Sequence, residues 1–433
     1  MRALKYSGVE WIGDIPSEWK VYPVRYAFSE NREKNTEGLV TNALQFKFGT
    51  IIPKNNFDAD EDNYVADTIT NYTIVEPRMI MINGLNLNYD LKSLRVGMVK
   101  EKGVITSAYL SLIPDETIID AEFATYLFKG YETKMAFHNM GAGIRKTLGF
   151  KEFKNQPILV PNLAEQQVVV RFLDDKLAEI DTVIEKTKAT IEEYKKLKQA
   201  VITEAVTKGI RGERPMKDSG VDWIGNIPNE WNIAKIKIGV SKVGSGKTPL
   251  GGAESYADEG ILFLRSQNIY DTGLLLDSPT YITDLVDEEM KNTRVFPRDV
   301  LLNITGGSIG RCCIFPSESV RANVNQHVSI IRVIETVFSP EYMHYYWISS
   351  LGHTAIDLYQ TGGNREGMSA DAIKNSPIPV IPINEQEEII AFLDKKCLEI
   401  DTIITNKTAL LDEMESYKKS VIYEYVTGKK EVE

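Results

Sequence analysis

Residues 7–19 read SGVEWIGDIPSEW, and residues 219–231 read SGVDWIGNIPNEW. A second block recurs in the same order: Glu165-Gln166, Phe172-Leu173-Asp174 and Ile180-Asp181 return as Glu385-Gln386, Phe392-Leu393-Asp394 and Ile400-Asp401. Between these matching blocks the two halves of the chain are unlike. The sequence is therefore a tandem duplication of one constant frame around two variable inserts. This arrangement suggests two separate recognition tasks on one scaffold.

Each insert ends at a proline-containing hinge, at 156–161 in the first half and at 376–382 in the second. Proline lacks a backbone N–H and cannot sit inside a helix, so each hinge separates the insert from the next segment of the chain. A heptad pattern then predicts a long helix over about 163–207 and a second one in the corresponding part of the other half. About 45 residues at a rise of 1.5 Å make a rod of roughly 65 Å.

Two such rods in one chain are expected to pair with each other, the alternative being two helices packed on separate domains. Lys198 and Lys418 fall in the predicted seam, where a lysine indicates a splayed end or a device that sets the register. The predicted seam residues are Leu173, Leu177, Ile180, Ile184, Thr187, Ile191, Tyr194, Lys198, Val201 and Ala205, followed in the second copy by Leu393, Cys397, Ile400, Ile404, Lys407, Leu411, Met414, Lys418, Val421 and Tyr425.

The inserts have mixed helix and strand patterns, so the predicted fold class is α/β, with two globular domains joined by two long helices in an internal repeat. Strands are predicted at 79–82, 105–110, 260–265, 299–304 and 328–333, and helices at about 120–138 and 340–360. The predicted boundaries are 1–157 for the first domain with its frame motif, 158–210 for the first long helix, 211–377 for the second domain with its frame motif, and 378–433 for the second long helix.

Bulk composition is that of a soluble, cytoplasmic globular protein. The chain has 433 residues, 43% of them hydrophobic, with no apolar stretch long enough to span a membrane and no apolar leader at the N-terminus. Three cysteines and four histidines are scattered without metal-ligand spacing, so neither disulfides nor a metal site is expected. A net charge of −11 argues against a generic nucleic-acid coat protein, and any DNA-binding surface must be local or partly supplied by a partner.

No motif predicts a catalytic centre. Gly244-Ser245-Gly246-Lys247-Thr248 resembles the end of a phosphate-binding loop, but Ser241 stands where that loop needs its first glycine. A Gly-rich turn is the expected structure there. Asp115, Glu152 and Lys154 fit a metal-nuclease pattern only across a predicted helix. The sequence also lacks a dinucleotide-binding glycine motif and an Asn/Asp-Pro-Pro-aromatic motif for methyl transfer.

Polar, glycine-containing loops recur at matching places in the two halves. Arg, Asn, Gln and Ser side chains form hydrogen bonds with base edges and phosphates, and glycine lets the backbone approach closely. A loop of this kind with an arginine precedes both hinges, which favours contact with a ligand over a purely structural role. The candidate DNA-binding residues are Asn83, Asn86, Tyr109, Arg145, Lys146, Lys247, Arg265, Gln267, Ser308, Arg311, Asn325, Gln326, Asn364 and Arg365.

The frame motifs carry a family resemblance. SGV(E/D)WIG(D/N)IP opens each half, and Pro-x-x-x-Glu-Gln with Phe-Leu-Asp opens each long helix. This pattern resembles the specificity subunit of a type I restriction–modification system, and the resemblance covers the whole chain. It implies that each insert is a target-recognition domain for one half of a bipartite, asymmetric DNA site. It also implies that the helices form an antiparallel coiled coil that sets the spacer between the half-sites.

The resemblance further implies a division of labour between subunits. Two methyltransferase subunits dock on the frame and transfer a methyl group from S-adenosylmethionine to adenine N6. Motor–nuclease subunits add translocation and cleavage driven by ATP and Mg²⁺. The specificity subunit holds no cofactor of its own and is not an enzyme. Its partners are double-stranded DNA and these subunits, without a membrane.

Two other functions are compatible with the residues alone. One is a coiled-coil scaffold or adaptor whose inserts bind protein. The other is a self-contained DNA-modifying enzyme, which the lack of a catalytic motif disfavours. Binding to duplex DNA with the methyltransferase partner present distinguishes the first from a specificity subunit, and methylation by the chain alone would identify the second.

Overall fold

The computed structural model describes residues 2–54, 69–87, 89, 94–140, 146–316, 321–360 and 367–432. The chain divides into two compact units. Unit 1 consists of Met1–Lys188 with Ala409–Glu433, and unit 2 consists of Ala189–Thr408. Each unit therefore combines one insert with a segment of both long helices.

The elements of unit 1 are short strands with one well-formed helix, followed by the first long helix, which continues into unit 2. The strands are β1 Leu4–Tyr6, β2 Asp14–Pro16, β3 Lys20–Pro23, β4 Phe28–Glu30, β5 Leu44–Lys47, β6 Thr50–Pro53, β7 Thr73–Val75, β8 Ile80–Ile82, β9 Val96–Met98, β10 Gly103–Ile105, β11 Leu110–Pro114 and β12 Pro157–Val160. The helices are α1 Ala121–Thr133, α2 Phe150–Phe153 and α3 Leu163–Lys208.

Unit 2 has a similar order of elements, with additional strands and helices. The strands are β13 Met216–Asp218, β14 Asn226–Pro228, β15 Asn232–Lys235, β16 Val240–Ser245, β17 Tyr256–Ala257, β18 Ile261–Leu264, β19 Ile269–Tyr270, β20 Gly273–Leu274, β21 Tyr281–Ile282, β22 Arg294–Val295, β23 Val300–Asn303, β24 Cys312–Ile314, β25 Ala322–Val324, β26 Val328–Val333 and β27 Pro377–Val380. The helices are α4 Asp284–Glu289, α5 Pro340–Ile348, α6 Ser350–Tyr359, α7 Ala370–Asn375 and α8 Ile383–Val426, the last of which continues into unit 1.

A four-stranded antiparallel sheet has the same topology in both units. Its strand order is β4-β11-β8-β9 in unit 1 and β16-β26-β23-β24 in unit 2. The central strands β8 and β23 are buried along their whole length. Unit 2 adds a five-stranded sheet, β17-β21-β18-β25-β22, in which β18 and β25 run parallel. The internal repeat therefore extends into the inserts, although their sequences differ.

The frame motifs join each insert to its long helix. Strand β3 pairs with β12, and β15 pairs with β27, so the two ends of each insert meet in a two-stranded sheet. Trp19 Nε1 donates a hydrogen bond to Glu165 at 3.0 Å in unit 1, and Trp231 Nε1 donates to Glu385 at 3.1 Å in unit 2. Both tryptophans are buried, which explains why Trp and Glu recur together in the two frames.

The repeated glutamines Gln166 and Gln386 are fully buried and satisfy backbone groups of their own unit. Each side-chain oxygen accepts from the backbone N–H at the N-cap of a helix, Asp120 for α1 and Ser339 for α5. Each Nε2 donates to two backbone carbonyl oxygens nearby. A buried amide with its hydrogen bonds made in this way fixes the junction between insert and helix.

Segments of α3 and α8 run antiparallel within each unit. In unit 1, Asp181 forms an ion pair with Lys418, and the ring of Phe172 lies 4.3 Å from that of Tyr425. In unit 2, Lys198 Nζ lies 2.7 Å from Asp401 Oδ2, and Arg211 forms hydrogen bonds with Glu388. The predicted seam residues are buried or half-buried, which confirms the heptad interpretation. Lys198 and Lys418 are each paired with an aspartate across the seam, which supports a role in setting the register over a splayed end.

Two sequence predictions about the inserts were wrong in part. The strand predicted at 105–110 is the end of β10, a turn, and the start of β11, and Tyr109 N donates to Thr106 O across that turn. The helix predicted at 340–360 is two helices, because the Ser349 side chain caps α6 by accepting from the backbone N–H groups of Leu351 and Gly352. Strand β26 was predicted with the bounds that the structure has.

Candidate nucleic-acid interface

One end of the unit 2 sheet carries a cluster of polar turns. These are residues 245–248 after β16, 304–311 after β23 and 325–327 before β26, and we call them the unit 2 polar end. They converge because β26 pairs antiparallel with both neighbours, with Ser245 opposite Ser329 and Asn303 opposite Val328. Three turns that are far apart in sequence therefore lie together at one end of the sheet.

Four side chains connect these turns in a chain of hydrogen bonds. Thr248 Oγ1 donates to Gln326 Oε1 at 2.6 Å. Gln326 Nε2 lies 2.9 Å from His327 Nε2, and His327 Nδ1 lies 2.6 Å from Thr305 Oγ1. Gln326 and Thr248 are exposed, whereas Thr305 and His327 are half-buried. The network holds exposed polar groups in a defined arrangement.

A buried asparagine supports the loop after β23. Asn303 Nδ2 donates to Ser266 O at 2.8 Å and to Ser308 Oγ at 3.1 Å. Its backbone N–H donates to Arg311 O, which closes the loop around Ser308. The Arg311 guanidinium lies 4.5 Å from the centroid of the Tyr270 ring, a cation–π distance that leaves a half-buried positive charge within the unit 2 polar end.

Gly246 explains the glycine-rich stretch that resembled a phosphate-binding loop. A Cβ atom at this position would lie 2.0 Å from Val324 O and 2.3 Å from Asn325 O, so only glycine fits. The stretch is the end of strand β16 and a turn, as expected, and not the start of a helix as in a phosphate-binding loop. Lys247, next to it, is exposed, and its backbone N–H donates to Val324 O.

The remaining predicted residues of unit 2 that the structure describes lie around the same end. Asn325 is buried, and its Oδ1 accepts from His327 N, so it shapes the turn. Gln267 is exposed on the turn after β18. The Arg265 guanidinium lies 5.8 Å from the Tyr256 ring centroid, and its backbone N–H donates to the side chain of Asn268. The structure thus brings these residues near one end of the sheet, and the Asn325 side chain shapes its own turn.

Unit 1 has an equivalent polar end, at the end of the sheet where β8 finishes and β11 begins. Leu110 pairs with Ile82, so Tyr109 and Asn83 are the next residues of the two strands. Asn83 Oδ1 accepts from Leu85 N and shapes the loop, whereas Asn86 is exposed with a left-handed φ of 54°. Lys146 is exposed, and its carbonyl accepts from Leu87 N. The Tyr109 ring packs on Phe46 at 5.8 Å.

A buried arginine outside the predicted set supports the unit 1 loop. Arg95 is fully buried, and its Nη1 donates to the carbonyls of Asn83 and Leu85, both at 2.9 Å. The Asn83 N–H donates to Arg95 O, as the Asn303 N–H does to Arg311 O in unit 2. Arg95 and Arg311 therefore occupy equivalent positions, one turned into the loop and one beside an aromatic ring. This equivalence has no signal in the sequence, because the two inserts are unlike in sequence.

Three predicted residues, Arg145, Asn364 and Arg365, lie outside the described residues. The described neighbours of those loops are attached to the polar ends, since Gly367 pairs with Thr305 and Lys146 contacts Leu87. His327, Thr248 and Thr305 were not predicted as site residues. Their polar character was visible in the sequence, but their contacts depend on the pairing of strands far apart in the chain.

The described part of the chain contains no group of three or more His, Cys, Asp or Glu side chains arranged to hold a metal ion. Cys312 and Cys313 are buried, and burial raises the pKa of both thiols, that of Cys313 to about 12. No helix among the described residues is long and apolar enough to cross a membrane.

Comparisons with known proteins all point to one family. The sequence model of the type I restriction modification DNA specificity domain matches residues 94–193 and 228–413. The type I restriction enzyme MjaVIII specificity subunit of Methanocaldococcus jannaschii is 22% identical over 419 residues, covering 96% of this chain and 93% of that protein. The EcoBI specificity subunit of Escherichia coli is 24% identical over 295 residues, covering 65% of this chain and 60% of that protein.

Solved structures have the same fold. A chain from work on complex assembly and conformational transition of the type I R-M system superposes with a TM-score of 0.72 at 14% identity, covering 96% of this chain and 99% of that chain. The HsdS subunit from Thermoanaerobacter tengcongensis superposes with a TM-score of 0.54 at 14% identity, covering 96% of this chain and 98% of that one. With a family match over most of its length and this fold, the chain belongs to the type I restriction–modification DNA specificity family.

Proposed function

We propose that this chain is the DNA sequence-recognition subunit of a type I restriction–modification complex, and that each polar end contacts one half of a bipartite, asymmetric site. One observation carries the proposal: the four-stranded sheets of the two units have the same strand order, and a polar end, made of polar loops, lies at the same end of both sheets. This is the arrangement expected when one framework carries two different recognition surfaces.

The side chains of the polar ends suit the chemistry of duplex DNA. Lys247 and Lys146 are exposed cations for phosphate contacts, and Gln326 and Asn86 are exposed amides for base edges. Net charge of −11 means that this basic character is local. Part of the phosphate contact is therefore assigned to partner subunits.

Partner subunits complete the proposed complex in the cytoplasm. Two methyltransferase subunits bind S-adenosylmethionine and methylate adenine, and motor–nuclease subunits use ATP and Mg²⁺. The specificity chain supplies recognition and leaves the chemistry to them. The spacing between the two half-sites is assigned to the paired helices.

The phosphate contact is tested with a matched pair of lysine variants in the complex with the methyltransferase partner. Lys247 is exposed just after β16, and Lys237 is exposed just before it, at the opposite end of the same strand. Lys247→Ala should weaken binding to all duplexes and lower the salt dependence of log K by about one charge. Lys237→Ala should leave both unchanged. Equal effects of the two variants would contradict the assignment of the polar end to DNA.

Methylated-site sequencing in a host that carries the chain and its partner tests the division between units. Substitutions in the unit 2 polar end should alter only one half of the methylated sequence, and Lys146→Ala should affect only the other half. A protein-binding scaffold would leave the methylated sequence unchanged by either set. Methylation by the purified chain without partner would identify a self-contained enzyme instead.

A further inference from the structure

The chain of hydrogen bonds through Gln326 holds its amide in place. Because Oε1 accepts from Thr248, the Nε2 group faces His327 and donates to the ring nitrogen Nε2. That nitrogen is then an unprotonated acceptor, and a ring with one N–H carries it on Nδ1. Nδ1 in turn donates to Thr305 Oγ1 at 2.6 Å. His327 is therefore a positioning residue for the amide.

The fixed amide has one donor and one acceptor left over. A primary amide has two N–H groups and two lone pairs on oxygen, and each partner within the network uses one of them. The second N–H and the second lone pair of Gln326 remain, on the neighbouring nitrogen and oxygen of one amide, in an exposed side chain. A ligand that matches them must offer one acceptor next to one donor.

Among base edges in the major groove, adenine alone offers that pair to a side chain amide. Adenine presents the N7 acceptor and the N6 amino donor, whereas guanine presents two acceptors, and cytosine and thymine present one polar group each. We infer that Gln326 recognises one adenine of the half-site contacted by unit 2, with its amide held by Thr248 and by the pair His327–Thr305. This inference rests on the proposed function, since it assumes that the polar end meets DNA.

The backbone of the turn is held as firmly as the side chain. His327 N donates to Asn325 Oδ1, Val328 N donates to Asn325 O, and the His327 carbonyl accepts from Ile304 N. Gly246 packs directly against the carbonyl of Asn325. An amide whose backbone and side chain are both ordered before binding loses little conformational entropy when it meets the base, which favours selectivity at one base pair.

The test measures base preference at every position of the unit 2 half-site, with a pool of randomised duplexes and the complete complex with methyltransferase. In Gln326→Met, a side chain of similar length has no polar group. The expected result is loss of the preference for adenine at one position, where the wild type should discriminate about 5- to 150-fold, with all other positions unchanged. Gln199→Met, on the long helix α3, is the matched control and should keep every preference.

Two further variants test the network itself. His327→Phe keeps a ring but removes both nitrogens, and Thr248→Val removes the donor to Oε1. Each should weaken the preference at the same single position as Gln326→Met, whereas a purely structural loss would lower affinity at all positions. Thermal unfolding of each variant confirms that it is folded.

The outcomes separate this inference from the proposed function. If Gln326→Met keeps the adenine preference while Lys247→Ala weakens binding to all duplexes, the adenine contact is refuted and the polar end still binds DNA. If neither variant changes binding, both fail. A loss of preference for a base other than adenine also overturns the inference, because it would mean that the amide faces a different edge.

Discussion

Adding a single carbon atom at Gly246 should lower the stability of unit 2. The hypothetical Cβ would lie 2.0 Å from a backbone carbonyl oxygen, which cannot move as a flexible side chain does. Gly246→Ala should therefore destabilise unit 2 by about 1–3 kcal/mol and displace the turn that carries Lys247. Thermal unfolding measures the first effect, and binding to the preferred duplex measures the second.

Gly244, two residues earlier and inside strand β16, is the matched control for this prediction. Nothing lies within 4 Å of a Cβ built there. Gly244→Ala should change stability by less than about 0.5 kcal/mol and leave duplex binding intact. If the two alanine variants behave alike, the close approach of the turn to Val324 and Asn325 does not exist in solution.

Buried His344 gives a prediction about acid stability. Burial lowers the pKa of this histidine from 6.5 to about 4. The unfolded chain then binds a proton more readily than the folded one, so the contribution of His344 to stability is full above about pH 6.5 and is lost as pH falls through 4. The total loss is about 3 kcal/mol, from 1.36 kcal/mol per pKa unit.

His344→Phe should remove this part of the pH dependence, as followed by chemical unfolding between pH 7 and pH 4. The control is His353→Phe, because His353 is exposed on α6, and that variant should keep the slope of the wild type. A slope that persists in His344→Phe would show that another group titrates in this window.

At the scale of elements, the paired helices are held in register by ion pairs in the seam. Lys198 and Asp401 retain 23% and 41% of their side-chain exposure, so the pair is only partly screened by water. Lys198→Asp should place two carboxylates together and destabilise unit 2 by about 1 kcal/mol. Exchanging the two residues, Lys198→Asp with Asp401→Lys, should restore most of that loss in a double-mutant cycle.

Lys195 supplies the control on the same helix. It pairs with Glu192, three residues earlier on an exposed face of α3, so Lys195→Asp should cost less than about 0.5 kcal/mol. The same cycle can be repeated in unit 1 with Lys418 and Asp181. Additive effects in both cycles would mean that the ion pairs do not contribute to register.

The long helices were predictable because heptad spacing is a local property that burial of one face imposes on the sequence. The turn at 106–109 was missed because only Ser107 and Ala108 interrupt a run of strand-favouring residues, and glycine and proline, the usual turn residues, are missing there. The break at Ser349 was missed for a related reason, since its cap is a serine inside a helical pattern.

The candidate site was predictable only as a set of polar loops. The residue types and their positions after strands were visible. Lys247 and Gln326 lie at the unit 2 polar end, and their contact with DNA stays a prediction. Which loop residue meets which depends on strand register: Thr248 and Gln326 are 78 residues apart in sequence. Asn83 and Asn325 turned out to shape their own loops, because short amide side chains form hydrogen bonds with nearby backbone groups.

At the scale of the whole molecule, both long helices pass from one unit to the other, between Lys188 and Ala189 and between Thr408 and Ala409. A heptad inserted at both points keeps the pairs Asp181–Lys418 and Lys198–Asp401 in place, because seven residues are close to two helical turns. The insertion lengthens each helix by about 10 Å, at 1.5 Å per residue. Under the proposed function, this length corresponds to about three base pairs of DNA at 3.4 Å each.

Methylated-site sequencing should therefore show the same half-sites with a spacer longer by up to about three base pairs. The control inserts a heptad into α3 alone, which shifts the two helices past each other and should abolish methylation. An active double-insertion variant that keeps the original spacer would mean that the helices do not set it.

The division of the helices between units also determines the order in which the protein can be completed on the ribosome. Unit 2 ends at Thr408, whereas unit 1, which is begun first, still needs the residues after Ala409. Val421, Ile422 and Val426 are buried in the same core as Trp19, and Tyr423 Oη donates to the carbonyl of Trp11. All of unit 2 is therefore synthesised before the last residues of the unit 1 core, and a chain that stops before Val421 lacks part of the core that holds Trp19.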